Sequence, residues 1–201
     1  MENNFDYKNF LEINNLFDEN NEVEKLLQEK EIVRFKSDFD IVGNLPNVLI
    51  LDNENYDFAI SVDEKYQIKL VPKIITVGMG CRKNKCFEDI FEFYHETVRN
   101  LKISLNSVEK LTSIDIKKEE MGLIRLAENE NLSFITYPAK ELLNVRGEFS
   151  PSGFVKSITG VDNVCERSAV IGSENGEVLL HKTAYNGMTI AAAIRTYRVK
   201  F

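Results

Sequence analysis

Asp115, Lys117 and Glu120 bring two carboxylates and an ammonium into one short segment. That is the equipment of a general base with a polarising partner, and a plain salt bridge would use the same atoms. Gly78-Met79-Gly80, with Arg82 just beyond, stands between a β-branched run and a helical pattern. Backbone N–H groups and a helix N-terminus can meet an anion at such a junction. A dinucleotide fingerprint would need glycine at position 83, which is Lys83, and a Walker-type loop would need Ser or Thr after Lys85, where Cys86 stands. A carboxylate-binding loop helped by Arg82, or glycines that merely let the chain turn, remain. Cys81, beside Arg82 and ahead of a helix, has a setting that lowers a thiol pKa, though no histidine neighbours it. Cys165 reads as a small buried filler. His95 reads as an ordinary helix-surface or half-buried histidine, and His181 stands far from it in sequence. Cys81, Cys86 and Cys165 form no C-x-x-C pair, so free thiols and no protein-held metal are expected.

These residues need elements to hold them. Ile74-Ile75-Thr76-Val77 reads as a buried strand that breaks at Gly78 to Arg82. Phe87, Ile90, Phe91, Tyr94, Val98 and Leu101 make one apolar face of a helix over about 86–101. A short helical piece around Val108 to Leu111 precedes a strand over Thr112 to Lys117, on which Asp115 and Lys117 would share a side. A helix over Glu119–Asn129, a strand over Leu132–Thr136 and a helix from Pro138 through Leu143 follow. Ser150 can cap a helix that begins at Pro151 and stops at Gly160, and Asn163 to Glu166 matches a capping box for a helix ending at Gly172. Strands over Glu177–His181 and Thr189–Ile194 close the sequence around the Asn186-Gly187 turn. This alternation predicts a three-layer α/β/α domain with a mostly parallel or mixed sheet. Ahead of it, two short helices and four short strands over residues 31–71 predict a small α+β unit without a catalytic constellation.

The chain has 201 residues, 43% of them hydrophobic, with 13 Phe and 7 Tyr, enough to exclude intrinsic disorder. Its net charge of -7 is uneven: residues up to Pro72 carry 16 acidic and 7 basic side chains, a net of -9, whereas Lys73 onward carries 16 and 18, a net of +2. The break predicts two units, 1–72 and 73–201, with only the second inviting to an anionic small molecule. No basic stripe with interleaved aromatics points to nucleic acid, and no apolar run is long enough for a membrane span. Met1-Glu2-Asn3-Asn4 lacks a secretory pattern, so a cytoplasmic location is expected.

Val77 to Arg82, Ser113 to Lys117 with Glu120 to Leu123, Phe149 to Ser152, Gly160 to Glu166 and Lys182-Thr183 together resemble the C-terminal domain of the cobalamin-biosynthesis CbiG family. The resemblance runs in order from Lys73 to about Ile194, and residues 1–72 resemble the family's central linker domain more loosely. It implies a hydrolase of the anaerobic vitamin B12 pathway acting on cobalt-precorrin-5A, whose δ-lactone is opened with release of acetaldehyde. On that reading Asp115 or Glu120 is the base, and Lys117 or Lys182 the oxyanion donor. Arg82, Lys117, Lys182 and the amides of Gly78, Gly80 and Cys81 hold substrate carboxylates, with Ser150, Ser152 and Glu166 in the same site. No cofactor is expected, the cobalt being carried by the tetrapyrrole substrate. The family's longer members have a further N-terminal domain ahead of the linker, so the resemblance leaves open a truncated form, a split protein whose partner is a separate N-terminal-domain chain, or a stand-alone binding domain. CobE-like proteins resemble the C-terminal domain alone and imply the alternative, a corrin-intermediate binder without catalysis.

Overall fold

The computed structural model describes residues 5–201, Phe154 by its backbone alone; Met1–Asn4, on which the reading of the N-terminus rests, lie outside the described residues. Contacts divide the chain into two units. One comprises Met1–Lys73, Lys102–Ser107 and Tyr197–Phe201, the other Ile74–Leu101 and Val108–Thr196.

The first unit opens with α1 (Tyr7–Asn14), β1 (Leu16–Asp18) and α2 (Glu22–Glu29), and continues through β2 (Val33–Ser37), β3 (Asp40–Val42), β4 (Leu49–Leu51), β5 (Phe58–Ile60) and β6 (Lys69–Pro72). Asp6 caps α1 by accepting the Asn9 N–H at 3.0 Å. Five strands form a sheet in the order β1-β6-β5-β2-β4, parallel except at β1. Its core gathers Phe10, Val23, Val33, Phe35, Phe58, Ile60 and Leu70, with the Phe35 and Phe58 rings stacked at 5.6 Å.

The second unit runs β7 (Ile75–Cys81), α3 (Phe87–Asn100), β8 (Val108–Ile114), α4 (Met121–Asn129), β9 (Ser133–Tyr137), α5 (Ala139–Asn144), α6 (Gly153–Thr159), α7 (Cys165–Gly172), β10 (Glu177–Tyr185) and β11 (Met188–Ile194). Its sheet order is β10-β11-β7-β8-β9, with β7, β8 and β9 parallel and the two late strands antiparallel, the mixed α/β architecture expected. The parallel crossovers carry α3 and α4, which pack on each other through Ile90, set against Gly122. Side chains alternate along β7, so Thr76 and Gly78 turn to one face and Ile75, Val77 and Met79 to the other. Helix α7 covers the first of these: a Cβ on Gly78 would overlap the Cys165 carbonyl, and one on Gly172 would lie 2.7 Å from the Thr76 methyl. The Asn186-Gly187 turn has φ of 46° and 77°, the left-handed pair that joins two strands in a tight hairpin. The chain's last strand, β12 (Arg198–Lys200), belongs to the first unit, where it pairs in parallel with β3.

Local readings gave way in β7 and β8. The strand expected to break at Gly78 continues to Cys81, because β11 pairs with it as far as Cys81 and outweighs the weak strand preference of glycine, while β8 pairs with it as far as Gly78. The helical piece expected around Val108 is the start of β8, paired with β7 and β9. Asp115 and Lys117 therefore lie beyond the strand, on a single 3-10 turn, rather than side by side on a pleat.

Candidate functional site at the carboxyl edge of the second sheet

The carboxyl ends of β7 and β8 bring the sequence-predicted acid, base and cation residues to one edge, the usual ligand edge of a parallel sheet. Ser113 binds the two ends together, its hydroxyl donating to the Met79 carbonyl at 2.6 Å. Beyond β8, Lys117 Nζ donates to Glu120 Oε2 at 2.9 Å, and Glu120 Oε1 accepts the Asn84 N–H at 2.8 Å. Lys117 and Glu120 side chains are only 14% and 8% exposed. Glu120 thus precedes α4 as its N-cap residue, not inside its first turn, and ties the β7–α3 loop to the β8–α4 connection. Within that basic loop, Lys85 pairs with Asp89 one helical turn on. Arg82 and Lys83 are exposed, and among the described residues neither side chain has a hydrogen-bond or ion-pair partner. Asp115 is half-buried on its turn.

Cys81 lies half-buried at the end of β7, not at a helix start. Burial pushes its thiol up to about 11, against the pull of Lys117 and Lys85 and with the help of Glu120. The activated thiolate expected beside Arg82 is therefore absent; desolvation outweighs the nearby ammonium groups. Cys165 is buried, as expected of a filler, and its thiol too is pushed up to about 11 by burial.

A second constellation surrounds Glu166 in the first turn of α7, its side chain fully buried. Oε2 accepts the Ser150 N–H at 2.9 Å and Oε1 the Lys182 N–H at 2.6 Å, with His181 Nδ1 3.5 Å away. Burial raises the Glu166 carboxyl, but the Lys182 and Ser150 donors and the nearby His181 overcome it and hold it below the ordinary range. Half of the expected capping box forms: Asn163 Oδ1 accepts the Glu166 N–H at 2.9 Å, while the Glu166 side chain turns to Ser150 and Lys182 instead of reciprocating. Lys182 Nζ donates to the Ser150 carbonyl at 2.8 Å, and Asn163 Nδ2 donates to the same oxygen. The helix expected to start at Pro151 under a Ser150 cap starts at Gly153 under Ser152, whose hydroxyl accepts the Val155 N–H at 3.3 Å.

The predicted residues thus fall into two groups. Cys81, Arg82, Asp115, Lys117 and Glu120 gather at the β7 and β8 ends, and Ser150, Glu166 and Lys182 knit the 149–152 loop to α7 and β10. Gly78 and Gly80 stand in the ladder, opposite Ala191 and Thr189. Gly78 is explained by the close approach of α7. No residue pattern pointed to Asn84, because it takes part through its backbone. Among the described residues, no group of three or more His, Cys, Asp or Glu side chains is placed to hold a metal, and no helix is long and apolar enough to cross a membrane.

The family described as cobalamin synthesis G C-terminus matches residues 75–193. A cobalt-precorrin-5A hydrolase of Priestia megaterium is 31% identical over 126 residues, 63% of this chain; the chain spans only 33% of that relative's length. Among solved structures, CobE, a protein from the cobalamin (vitamin B12) biosynthetic pathway, superposes with a TM-score of 0.57 at 27% identity, covering 62% of this chain and 92% of CobE. A cobalamin biosynthesis protein G homolog from Sulfolobus solfataricus shares the fold over 94% of this chain and 60% of its own, at a TM-score of 0.52 and 22% identity. With the greater part of its length matched and the ordered motifs of its second unit accounted for, this chain belongs to the cobalamin synthesis G C-terminus family.

Proposed function

We propose that the chain acts in cobalamin biosynthesis on a cobalt-precorrin, whose peripheral carboxylates it takes at the carboxyl edge of the second sheet. The finer reading is of a cobalt-precorrin-5A hydrolase type, opening a δ-lactone with release of a two-carbon fragment as acetaldehyde. The observation that carries the binding role is the 82–85 loop: Glu120 fixes its backbone through Asn84, leaving the exposed Arg82 and Lys83 without protein partners. Unpaired cations on an anchored backbone are what a polycarboxylate ligand requires.

For the hydrolytic step, water must lose a proton as its oxygen attacks the lactone carbonyl, and the ring oxygen must leave as the acyl C–O bond breaks. Glu120 is committed to Lys117 and Asn84, and Glu166 to two backbone donors, so Asp115 is the carboxylate we assign as base. The oxyanion falls to Lys117, which shares the 3-10 turn and the edge with Asp115 and keeps N–H groups beyond the one it gives Glu120, whereas Lys182 belongs to the separate Ser150–Glu166 group. The engagement of Glu120, Glu166 and Lys182, and the raised thiols, also favour a second reading, a CobE-like binder that holds the intermediate without turning it over.

Mixing the chain with cobalt-precorrin-5A and following both acetaldehyde and the tetrapyrrole absorbance separates the two. Acetaldehyde in step with the spectral change supports the hydrolase, a spectral shift alone supports the binder, and neither signal overturns both.

A further inference from the structure

The hairpin between β10 and β11 reaches the same edge and carries an aromatic ring that the sequence pattern did not single out. Tyr185 pairs in register with Met188, and Met188 with Cys81, so the three stand in one row across β10, β11 and β7 and face the same side of the sheet. Tyr185 is 65% exposed, although its ring lies 6.0 Å from Phe93, which is itself buried on α3. An exposed tyrosine at the end of a strand, backed by a second ring, is a rigid surface that needs little ordering to receive a ligand.

The hairpin tip also places Arg82. The Arg82 N–H donates to the Gly187 carbonyl at 2.9 Å. A Cβ on Gly187 would lie 2.8 Å from Arg82 Cδ and 3.0 Å from Nε, so the arginine lies along the bare backbone of the turn. Asn186 reaches Asp89 on α3 at 3.5 Å, a further tether on the tip. The same hairpin tip thus carries an exposed phenol ring and holds a partnerless guanidinium, with Tyr185 two strand spacings, on the order of 10 Å, from the end of β7 that leads into Arg82.

We propose that Tyr185 and Arg82 form the seat of a flat macrocycle bearing carboxylates, the ring face lying on Tyr185 and a peripheral carboxylate on Arg82. The proposal rests on the cobalt-precorrin reading above and adds the surface on which the macrocycle lies. Glycine at 187 then has two duties, the left-handed turn and the room for Arg82.

The test titrates cobalt-precorrin-5A into the intact chain and into its Tyr185→Ala, Tyr185→Phe and Arg82→Ala variants, reading the tetrapyrrole absorbance. Tyr185→Ala is expected to weaken binding about tenfold, Tyr185→Phe to leave it within about twofold, and Arg82→Ala to weaken it about tenfold or more. Both side chains are exposed, so all variants should keep the thermal midpoint of the parent, which separates lost binding from lost folding. Parent-like affinity in Tyr185→Ala overturns the seat while leaving the cobalt-precorrin reading intact. No binding by the parent chain overturns that reading, and the seat with it.

Discussion

Glu166 keeps its charge inside the second unit because two backbone N–H groups and a nearby imidazole replace the water it gives up. The carboxylate holds three separate segments: the 149–152 loop, the first turn of α7 and the middle of β10. Its lowered pKa has a definite consequence for stability. A carboxyl held lower in the folded chain than its ordinary 4.5 stabilises the fold in full above that ordinary value, and the contribution is lost as the pH falls through the lowered one. Glu166→Gln offers one acceptor oxygen and turns an amide NH2 towards a backbone donor, so one N–H loses its partner. The variant is expected to lose about 2 to 3 kcal/mol at neutral pH, read from urea midpoints. Its deficit should shrink as the pH is lowered from neutral through the ordinary carboxyl value and then through the lowered one, as the parent surrenders the same contribution. A deficit that stays constant across that range would mean the charge of Glu166 is not what the fold uses.

At the scale of elements, the critical contact is between β7 and α7, which meet through glycine on each side. Gly78→Ala would drive a methyl into the Cys165 carbonyl and the Ser168 hydroxyl and is expected to cost about 3 kcal/mol or more. Gly153→Ala, at a helical position with open space around its Cα, should raise stability by up to about 1 kcal/mol. Thermal unfolding of both variants checks the pair; equal midpoints would contradict the packing described. Gly78 also marks the limit of what local sequence reveals. Helices α3 and α7 and the β10–β11 turn are legible, because an apolar stripe, a cap and an Asn-Gly pair act over neighbouring residues. The length of β7 is not, since its glycines signal a break that only pairing with distant Ala191 and Thr189 overrules. The candidate site divides in the same way. The pattern singles out Asp115, Lys117 and Glu120 as a group, but the partner that fixes Glu120, the Asn84 N–H, is a backbone atom no residue type announces.

For the whole molecule, the chain makes its acidic first unit out of three separate segments, and the last of them packs deeply. Val199 is fully buried, Phe201 stacks on Phe10 at 4.6 Å, and Asn14 is held at both ends of its amide by Lys200, accepting its N–H at 2.7 Å and donating to its carbonyl at 2.9 Å. Strand β12 pairs with β3 some 160 residues upstream, which is why neither strand shows in a local pattern. Shortening the chain to end at Thr196 removes this segment. The loss of a buried valine and a stacked phenylalanine is about 5 kcal/mol, comparable with the whole stability of a small domain. The first unit of the shortened chain is therefore expected to lose cooperative unfolding, and trypsin should cut first at Lys25, Lys30, Arg34 and Lys36, with the cuts located by mass spectrometry. The second unit takes none of its sheet from the removed residues, so its strands should stay protected in the same digest. Parent-like resistance at those four sites would show that the first unit stands without its final strand, whereas cutting spread evenly over both units would show that the two fold only together.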